Sequence, residues 1–147
     1  MSDPTNPKRA GELKIPGFSS YLHPISEDLV LGVGSEANQV KLSLFDVSDI
    51  NAPKEIAKYG LTEFWSEVAD NHHAFLLDPQ HKIVFIPAGN NAYIFSYSDR
   101  ALTLLKAIPG LNSSRAVYIN DYLYVLSPST IAVYSETDWS LVGSLDL

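Results

Sequence analysis

The stretch that decides the fold is SDINAPK, residues 48–54, because an earlier part of the chain shows the same pattern. The matching residues are SDPTNPK at positions 2–8, which lie 46 residues upstream. The tripeptide Ile-Pro-Gly also occurs twice, at residues 15–17 and 108–110, an interval of 93 residues that is close to two such periods. A self-similar period of about 40–50 residues is typical of proteins that repeat one small structural unit.

Short strand-like segments fill each period in groups of four. They are bounded by turn residues, and no window keeps a helical period of any length. The twelve segments are residues 21–25, 29–33, 41–47, 55–61, 73–77, 83–87, 92–97, 102–107, 115–119, 122–126, 130–134 and 140–145. Three groups of four predict an all-β fold in which three four-stranded antiparallel blades form a β-propeller segment. Because propellers close with about four to eight blades, we expect a fragment of a larger propeller.

The repeat also predicts how the chain divides into units. We expect residues 1–16 to be an outer strand left from a preceding blade, with the strand itself at residues 11–15. The three blades that follow would span residues 17–62, 63–108 and 109–147. Three blades leave two apolar flanks uncovered, which soluble monomers seldom tolerate. We therefore expect self-association through these flanks or through edge strands, as a dimer.

Composition and charge exclude several kinds of partner. Ten basic and 17 acidic residues give a net charge of −7, so a nucleic acid partner is not expected. The chain has no cysteine, which excludes disulfides and thiolate metal sites. No apolar run is long enough to span a bilayer, and no signal peptide opens this chain, so direct membrane insertion is not expected either.

The most plausible ligand site lies at the mouth of the propeller channel. Loops that join the outer strand of one blade to the inner strand of the next surround this mouth, and three occur here, at residues 17–20, 62–72 and 110–114. The repeat alignment places Tyr21, His73 and Arg115 at equivalent positions on the innermost strands. We expect these three side chains to converge on a ligand. Alternatively, they hydrogen-bond neighbouring blades, since buried polar groups need partners in any case.

Loop 62–72 is the longest of the three and carries an aromatic residue that could contact a ligand, Trp65. It also holds Glu63, Glu67 and Asp70. Carboxylates beside aromatic residues are the components of glycoside-hydrolysing sites, although three acids in one loop also fit a solvated surface. An enzyme built here would draw its chemistry from Glu67, Asp70, His73 and Arg115.

The sequence predicts no metal site, no cofactor and no catalytic residue. His72 and His73 are adjacent, and neighbouring side chains on a strand point to opposite faces, so they cannot easily bind one ion. Asp46 and Asp49 lack the spacing of a calcium loop and fit better as residues that start a turn, which Pro53 then ends. No nucleophile or phosphate-binding motif occurs in the chain.

Several segments carry a resemblance to a known family. LSLFDVSDINAPKEI (42–56) and AVYINDYLYVLSPSTIAVYS (116–135) look like prokaryotic propeller repeats. GELKIPGFSSYLHPI (11–25) with DNHHAFLLDP (70–79) resembles secreted proteins that have a C-terminal β-propeller distantly related to WD40 repeats. The third repeat departs from this pattern at residues 135–139. The resemblance implies a propeller fold and an extracellular or cell-surface location, and it implies no particular activity.

Together these observations favour a non-catalytic β-propeller scaffold or binding segment of a secreted or surface protein. The alternative is a hydrolase that acts on a glycan or a peptide at the mouth of the channel. The two differ in whether the acidic and basic side chains of the loops meet in one cleft.

Overall fold

The computed structural model describes residues 5–112 and 115–147. Its twelve strands form three sheets, each with four antiparallel strands in chain order. The expected all-β fold with three four-stranded blades is therefore confirmed. The Ser2-Asp3-Pro4 start of the upstream repeat and residues 113–114 of the third loop lie outside the described residues.

The strands have the following bounds. Blade 1 consists of β1 (Phe18–Pro24), β2 (Leu29–Glu36), β3 (Gln39–Asp46) and β4 (Lys54–Gly60). Blade 2 consists of β5 (Leu76–Asp78), β6 (Ile83–Ala88), β7 (Asn91–Ser96) and β8 (Thr103–Ile108). Blade 3 consists of β9 (Arg115–Ile119), β10 (Tyr122–Leu126), β11 (Thr130–Ser135) and β12 (Leu141–Asp146). Three short 3-10 helices occur at Glu67–Ala69, His72–Ala74 and Ser98–Arg100. None of the described helices is long and apolar enough for a membrane span.

The stretch that reveals the repeat forms the turn between β3 and β4. Asp46 Oδ1 accepts hydrogen bonds from the Ser48 amide at 3.0 Å and from the Ser48 hydroxyl at 2.7 Å. These bonds hold the pKa of the Asp46 carboxyl below its ordinary value. Asp49 Oδ1 accepts from the Asn51 amide at 2.9 Å. Both aspartates thus bond the backbone two residues ahead, as expected for residues that start a turn.

The hydrophobic core lies between the blades, and β6 is buried on both of its faces. Val84 and Ile86 belong to the cluster between blades 1 and 2. Ile83 and Phe85 belong to the cluster between blades 2 and 3. Because side chains alternate along a strand, one continuous apolar run supplies both clusters.

The first strand of blade 2 begins later than the sequence predicts. Residues 73–77 were expected to form this strand, but His72–Ala74 is a 3-10 helix and β5 starts at Leu76. The reason is local capping. Asn71 Oδ1 accepts a hydrogen bond from the His73 amide at 3.2 Å, which favours a helical turn over an extended strand. His73 therefore does not lie on an innermost strand.

Residues 11–15 were expected to form a strand, but the structure shows irregular backbone there. This segment lies against the outer flank of blade 1. Gly11 passes so close to the turn that a β-carbon on it would lie 2.4 Å from the carbonyl oxygen of Ile50. The buried Lys41 ammonium donates to the carbonyl of Pro16 at 2.8 Å and so holds the end of the segment. The segment and the flank enclose an apolar pocket of about 580 Å³ lined by Leu13, Ile15, Leu22, Val30, Phe45 and Val47.

The outer flank of blade 3 carries exposed apolar side chains. Ile119 is paired with Tyr122 across β9 and β10, so both side chains point to the same face. Val117 on that face is 47% exposed, and Leu145 on β12 is 60% exposed. Their number makes this flank a candidate contact surface.

Candidate functional site

Tyr21 belongs to an aromatic cluster between blades 1 and 2. Its hydroxyl lies 2.8 Å from His23 Nδ1, and its ring centroid lies 5.2 Å from that of Phe75. The His23 ring is 4.8 Å from the same phenylalanine. Burial raises the pKa of Tyr21 and lowers the pKa of His23. The contacts of Tyr21 are thus those of an inner-strand residue that binds the neighbouring blade.

No hydrogen bond or ring contact joins Tyr21, His73 and Arg115 within the described residues. His73 is exposed, and its ring centroid lies 4.0 Å from that of His72, with the two ring planes tilted by 37°. Strand β9 passes within 8 Å of the His72–Ala74 helix, measured between Cα atoms. Arg115, the first residue of β9, is itself exposed.

Trp65 lies elsewhere, in a groove between blade 1 and loop 62–72. The groove has a volume of about 370 Å³, and we name it the aromatic groove; its principal lining residues are Phe18, Ser20, Asn38, Phe64, Trp65 and Asp70. Phe18 is 62% exposed, Phe64 is 76% exposed and Trp65 is 57% exposed. Three large aromatic side chains therefore face solvent around one concave surface, although aromatic residues usually contribute to cores.

The Glu63 carboxylate anchors loop 62–72 to blade 2. Its Oε1 atom accepts hydrogen bonds from the Tyr93 hydroxyl at 2.7 Å and from Asn91 Nδ2 at 2.6 Å. Burial, and then the bond with Glu63, raises the pKa of Tyr93. Gly89 makes room for this carboxylate, because a β-carbon at that position would lie 2.2 Å from Glu63 Oε2.

Main-chain contacts complete the support of the loop. The Ser66 hydroxyl donates to the carbonyl of Pro87 at 2.6 Å, and the Gly89 amide donates to the carbonyl of Trp65 at 3.0 Å. On the other side, the Val40 amide donates to the carbonyl of Glu63 at 2.7 Å. The backbone of Trp65 is thus fixed between two blades while its indole stays exposed.

The three acidic residues of the loop do not share one cleft. Glu63 is held by blade 2, and Glu67 Oε1 accepts a hydrogen bond from Asn71 Nδ2 at 3.0 Å. Of the three, Asp70 alone lines the aromatic groove. The groove therefore combines aromatic surface with one acid from this loop.

The sequence predicts Trp65 as a ligand contact, but it does not single out two other groove residues, Phe18 and Asn38. Phe18 opens β1 and lines both the pocket on the flank of blade 1 and the aromatic groove. Asn38 lies in the hairpin between β2 and β3, where Ala37 and Asn38 have φ of 52° and 64°. Such angles are typical of a type I′ turn, for which Asn is a common residue. That turn chemistry was the one local signal available for Asn38.

The fold and the groove define the class: a β-propeller segment with three blades and an aromatic groove. The chain belongs to the beta propeller domain family, whose model matches residues 1–139. It is 62% identical over its whole length to an uncharacterized protein of Archaeoglobus fulgidus and 44% identical over 99% of its length to the uncharacterized protein MJ1554 of Methanocaldococcus jannaschii. The chain spans 23% and 24% of these relatives.

A solved structure supports the fold in addition. A functionally unknown protein from Desulfotomaculum acetoxidans superimposes with a TM-score of 0.50 at 18% identity. The match covers 84% of this chain and 44% of that one. At this identity the likeness concerns the fold alone.

Proposed function

We propose that this chain is a non-catalytic β-propeller binding segment, and that the aromatic groove receives a neutral glycan. The observation that carries the proposal is the exposure of Phe18, Phe64 and Trp65 around one concave surface of about 370 Å³. Ligand sites commonly have volumes of about 300–1,000 Å³ and combine aromatic walls with a few polar groups.

The chemistry of the groove suits a sugar ring. The C–H faces of a pyranose pack against aromatic faces, and its hydroxyls can both donate and accept hydrogen bonds. Asp70, Asn38 and Ser20 supply polar partners beside the aromatic surface. The net charge of −7 and the Asp70 carboxylate disfavour an anionic ligand. A neutral glycan therefore fits the groove better than an acidic one.

The arrangement of acids supports binding rather than hydrolysis. Glycoside hydrolases generally place two carboxyl groups about 5–9.5 Å apart across the scissile bond. Glu63 accepts a hydrogen bond from Tyr93, and Glu67 accepts one from Asn71. Of the acidic residues in this loop, Asp70 alone lines the groove. The alternative, a hydrolase for glycans or peptides, would need a second carboxylate beside Asp70.

The location of the whole protein is part of the same proposal. We propose that the full-length protein is extracellular or attached to the cell surface, because the chain resembles secreted propeller proteins and a glycan ligand is abundant there. Fractionation of cells that express the full-length protein tests this. We expect the protein in the medium or on the surface, where added protease digests it; a protected cytoplasmic protein would contradict the location.

We also propose that the isolated chain of 147 residues associates with a second copy through its blade flanks. Three blades from each chain would close a ring of six, which lies within the usual range for propellers. The exposed apolar side chains on the flank of blade 3, together with Leu22 at the pocket on blade 1, support association with a second copy.

Binding to an array of neutral oligosaccharides tests the proposed function. The variant used is Trp139→Phe, in which Trp65 is the remaining tryptophan. We expect this variant to bind a subset of the glycans on the array. We also expect the fluorescence of Trp65 to change when a glycan binds. Trp65→Ala should weaken binding by at least about tenfold, as expected for loss of an aromatic hot spot. Absence of binding across the array would overturn the glycan proposal, and equal binding by Trp65→Ala would overturn the site.

A further inference from the structure

A cluster of ionisable side chains lies where blades 2 and 3 meet, and none of its residues lines the aromatic groove. Asp78 closes the turn between β5 and β6, where its Oδ1 accepts hydrogen bonds from the amides of Gln80 at 2.8 Å and His81 at 3.3 Å. Glu136 follows β11, and its amide donates to the carbonyl of Asp121 at 2.9 Å. The backbone of each blade thus fixes the residues that it contributes.

Three potential metal ligands converge in this cluster. His81 Nδ1 lies 2.7 Å from Asp78 Oδ2 and 2.7 Å from Glu136 Oε2. The ligand atoms of the three residues all lie within 4.8 Å of one another. The two carboxylates are fully buried, whereas the His81 side chain is 20% exposed. The cluster is therefore enclosed by protein on the carboxylate side and open to solvent at the histidine.

The buried Glu136 carboxylate lacks a hydrogen bond. His81 Nδ1 carries at most one proton, and its hydrogen bond goes to Asp78. Neither oxygen of Glu136 has a hydrogen-bond partner among the described residues. Buried carboxylates normally have a hydrogen-bond partner or coordinate a metal, so the Glu136 carboxylate is placed to bind a cation.

A fourth residue positions the histidine. Asp121 Oδ1 lies 3.2 Å from His81 Nε2. Metal-binding histidines almost always donate the proton of their second ring nitrogen to a carboxylate, a carbonyl or water, and this contact fixes the tautomer and the ring orientation. An ion that binds Nδ1 would replace the proton that Nδ1 shares with Asp78, and Asp121 would accept the proton that remains on Nε2.

From these contacts we infer that Asp78, His81 and Glu136 bind a divalent transition-metal ion such as Zn²⁺ between blades 2 and 3, with Asp121 as a positioning residue. One nitrogen and two carboxylate oxygens suit Zn²⁺, whereas Ca²⁺ requires six to eight oxygens. In a tetrahedral Zn²⁺ site, neighbouring ligand atoms lie about 3.4 Å apart. Binding would therefore lengthen the two 2.7 Å distances from His81 Nδ1 to the carboxylates by about 0.7 Å. Small side-chain rotations can produce a change of this size.

Titration of the chelator-treated chain with Zn²⁺ by isothermal calorimetry tests the site. We expect one ion per chain and a higher melting temperature in its presence, because an ion that binds the folded state stabilises it. His81→Ala and Glu136→Gln should each weaken binding at least about 100-fold, and Asp121→Asn about tenfold. The matched control is the double variant His72→Ala, His73→Ala, which removes two exposed histidines and should bind Zn²⁺ like the original chain.

Two results would overturn the inference. The first is that the original chain does not bind Zn²⁺. The second is that His81→Ala still binds Zn²⁺ whereas the double control does not, because the ion would then be bound by the exposed histidines. Circular dichroism establishes that each variant is folded. If His81→Ala unfolds, absorption spectroscopy with Co²⁺ in place of Zn²⁺ tests the site instead. We expect the absorption bands of tetrahedral Co²⁺ in both the original chain and the double control. Absence of these bands from either protein would contradict the site.

Discussion

The Tyr93 hydroxyl donates a hydrogen bond to the Glu63 carboxylate at 2.7 Å and so joins loop 62–72 to the middle blade. Tyr93 is 8% exposed and lies in the core between blades 1 and 2. The same loop presents Trp65 to the aromatic groove. This phenol–carboxylate contact is therefore one of the links between the core of the propeller and the proposed binding surface.

Tyr93→Phe should lower the free energy of unfolding by about 1.5–3 kcal/mol, because a hydrogen bond to a charged group is lost. Denaturant-induced unfolding measures this change. The bond from Asn91 remains, so the lower end of the range is expected. Tyr118→Phe is the matched control: its ring is 37% exposed, and its hydroxyl has no hydrogen bond within the described residues. Equal losses in the two variants would contradict the anchoring role of Tyr93.

Gly89→Ala should destabilise the protein more than Gly110→Ala. Both glycines have positive φ, 54° and 74°, so alanine costs about 1–2 kcal/mol at either position. At Gly89 the new methyl group would also lie 2.2 Å from Glu63 Oε2, whereas nothing lies within 4 Å at Gly110. We expect an additional loss of about 1 kcal/mol or more at Gly89, comparable to one net hydrogen bond, measured by the same unfolding experiment. Equal destabilisation would show that Glu63 moves aside freely.

Phe85→Ala should lower the free energy of unfolding by about 3–5 kcal/mol, since it leaves a cavity in a packed core. Phe85 is fully buried between blades 2 and 3. The control is Phe64→Ala, which removes the same side chain from a position that is 76% exposed and should change stability by less than about 0.5 kcal/mol. A loss below about 1 kcal/mol for Phe85→Ala would contradict a core built between these blades.

The repeat predicted the blades because each strand is encoded locally. The run Ile83–Ile86 is apolar on both faces, and this alone indicates a strand between two neighbours. The start of β5 was misplaced because Asn71 caps a 3-10 helix, and a side-chain hydrogen bond of this kind competes with an extended strand without changing the apolar pattern.

The sites were harder to predict than the strands. Trp65 could be found as an aromatic residue in a long loop, but its neighbour Phe18 depends on how blade 1 packs. The Asp78–His81–Glu136 cluster has no sequence signature, since Glu136 comes from another blade and lies 55 residues after His81. Contacts between blades join residues that are distant in sequence. Neither the pattern of strands nor the spacing of motifs predicts such contacts.

Charge on the flank of blade 3 should abolish the proposed self-association. Ile119 is 54% exposed and Leu145 is 60% exposed on that flank. In multi-angle light scattering at micromolar concentration, we expect the original chain to show about twice its mass of 16.2 kDa. Ile119→Glu combined with Leu145→Glu should give a monomer, because burying unpaired carboxylates in an interface is strongly unfavourable. Phe64→Glu, which adds a carboxylate in the aromatic groove instead, should leave the dimer intact. A monomeric original chain would contradict association through the flanks.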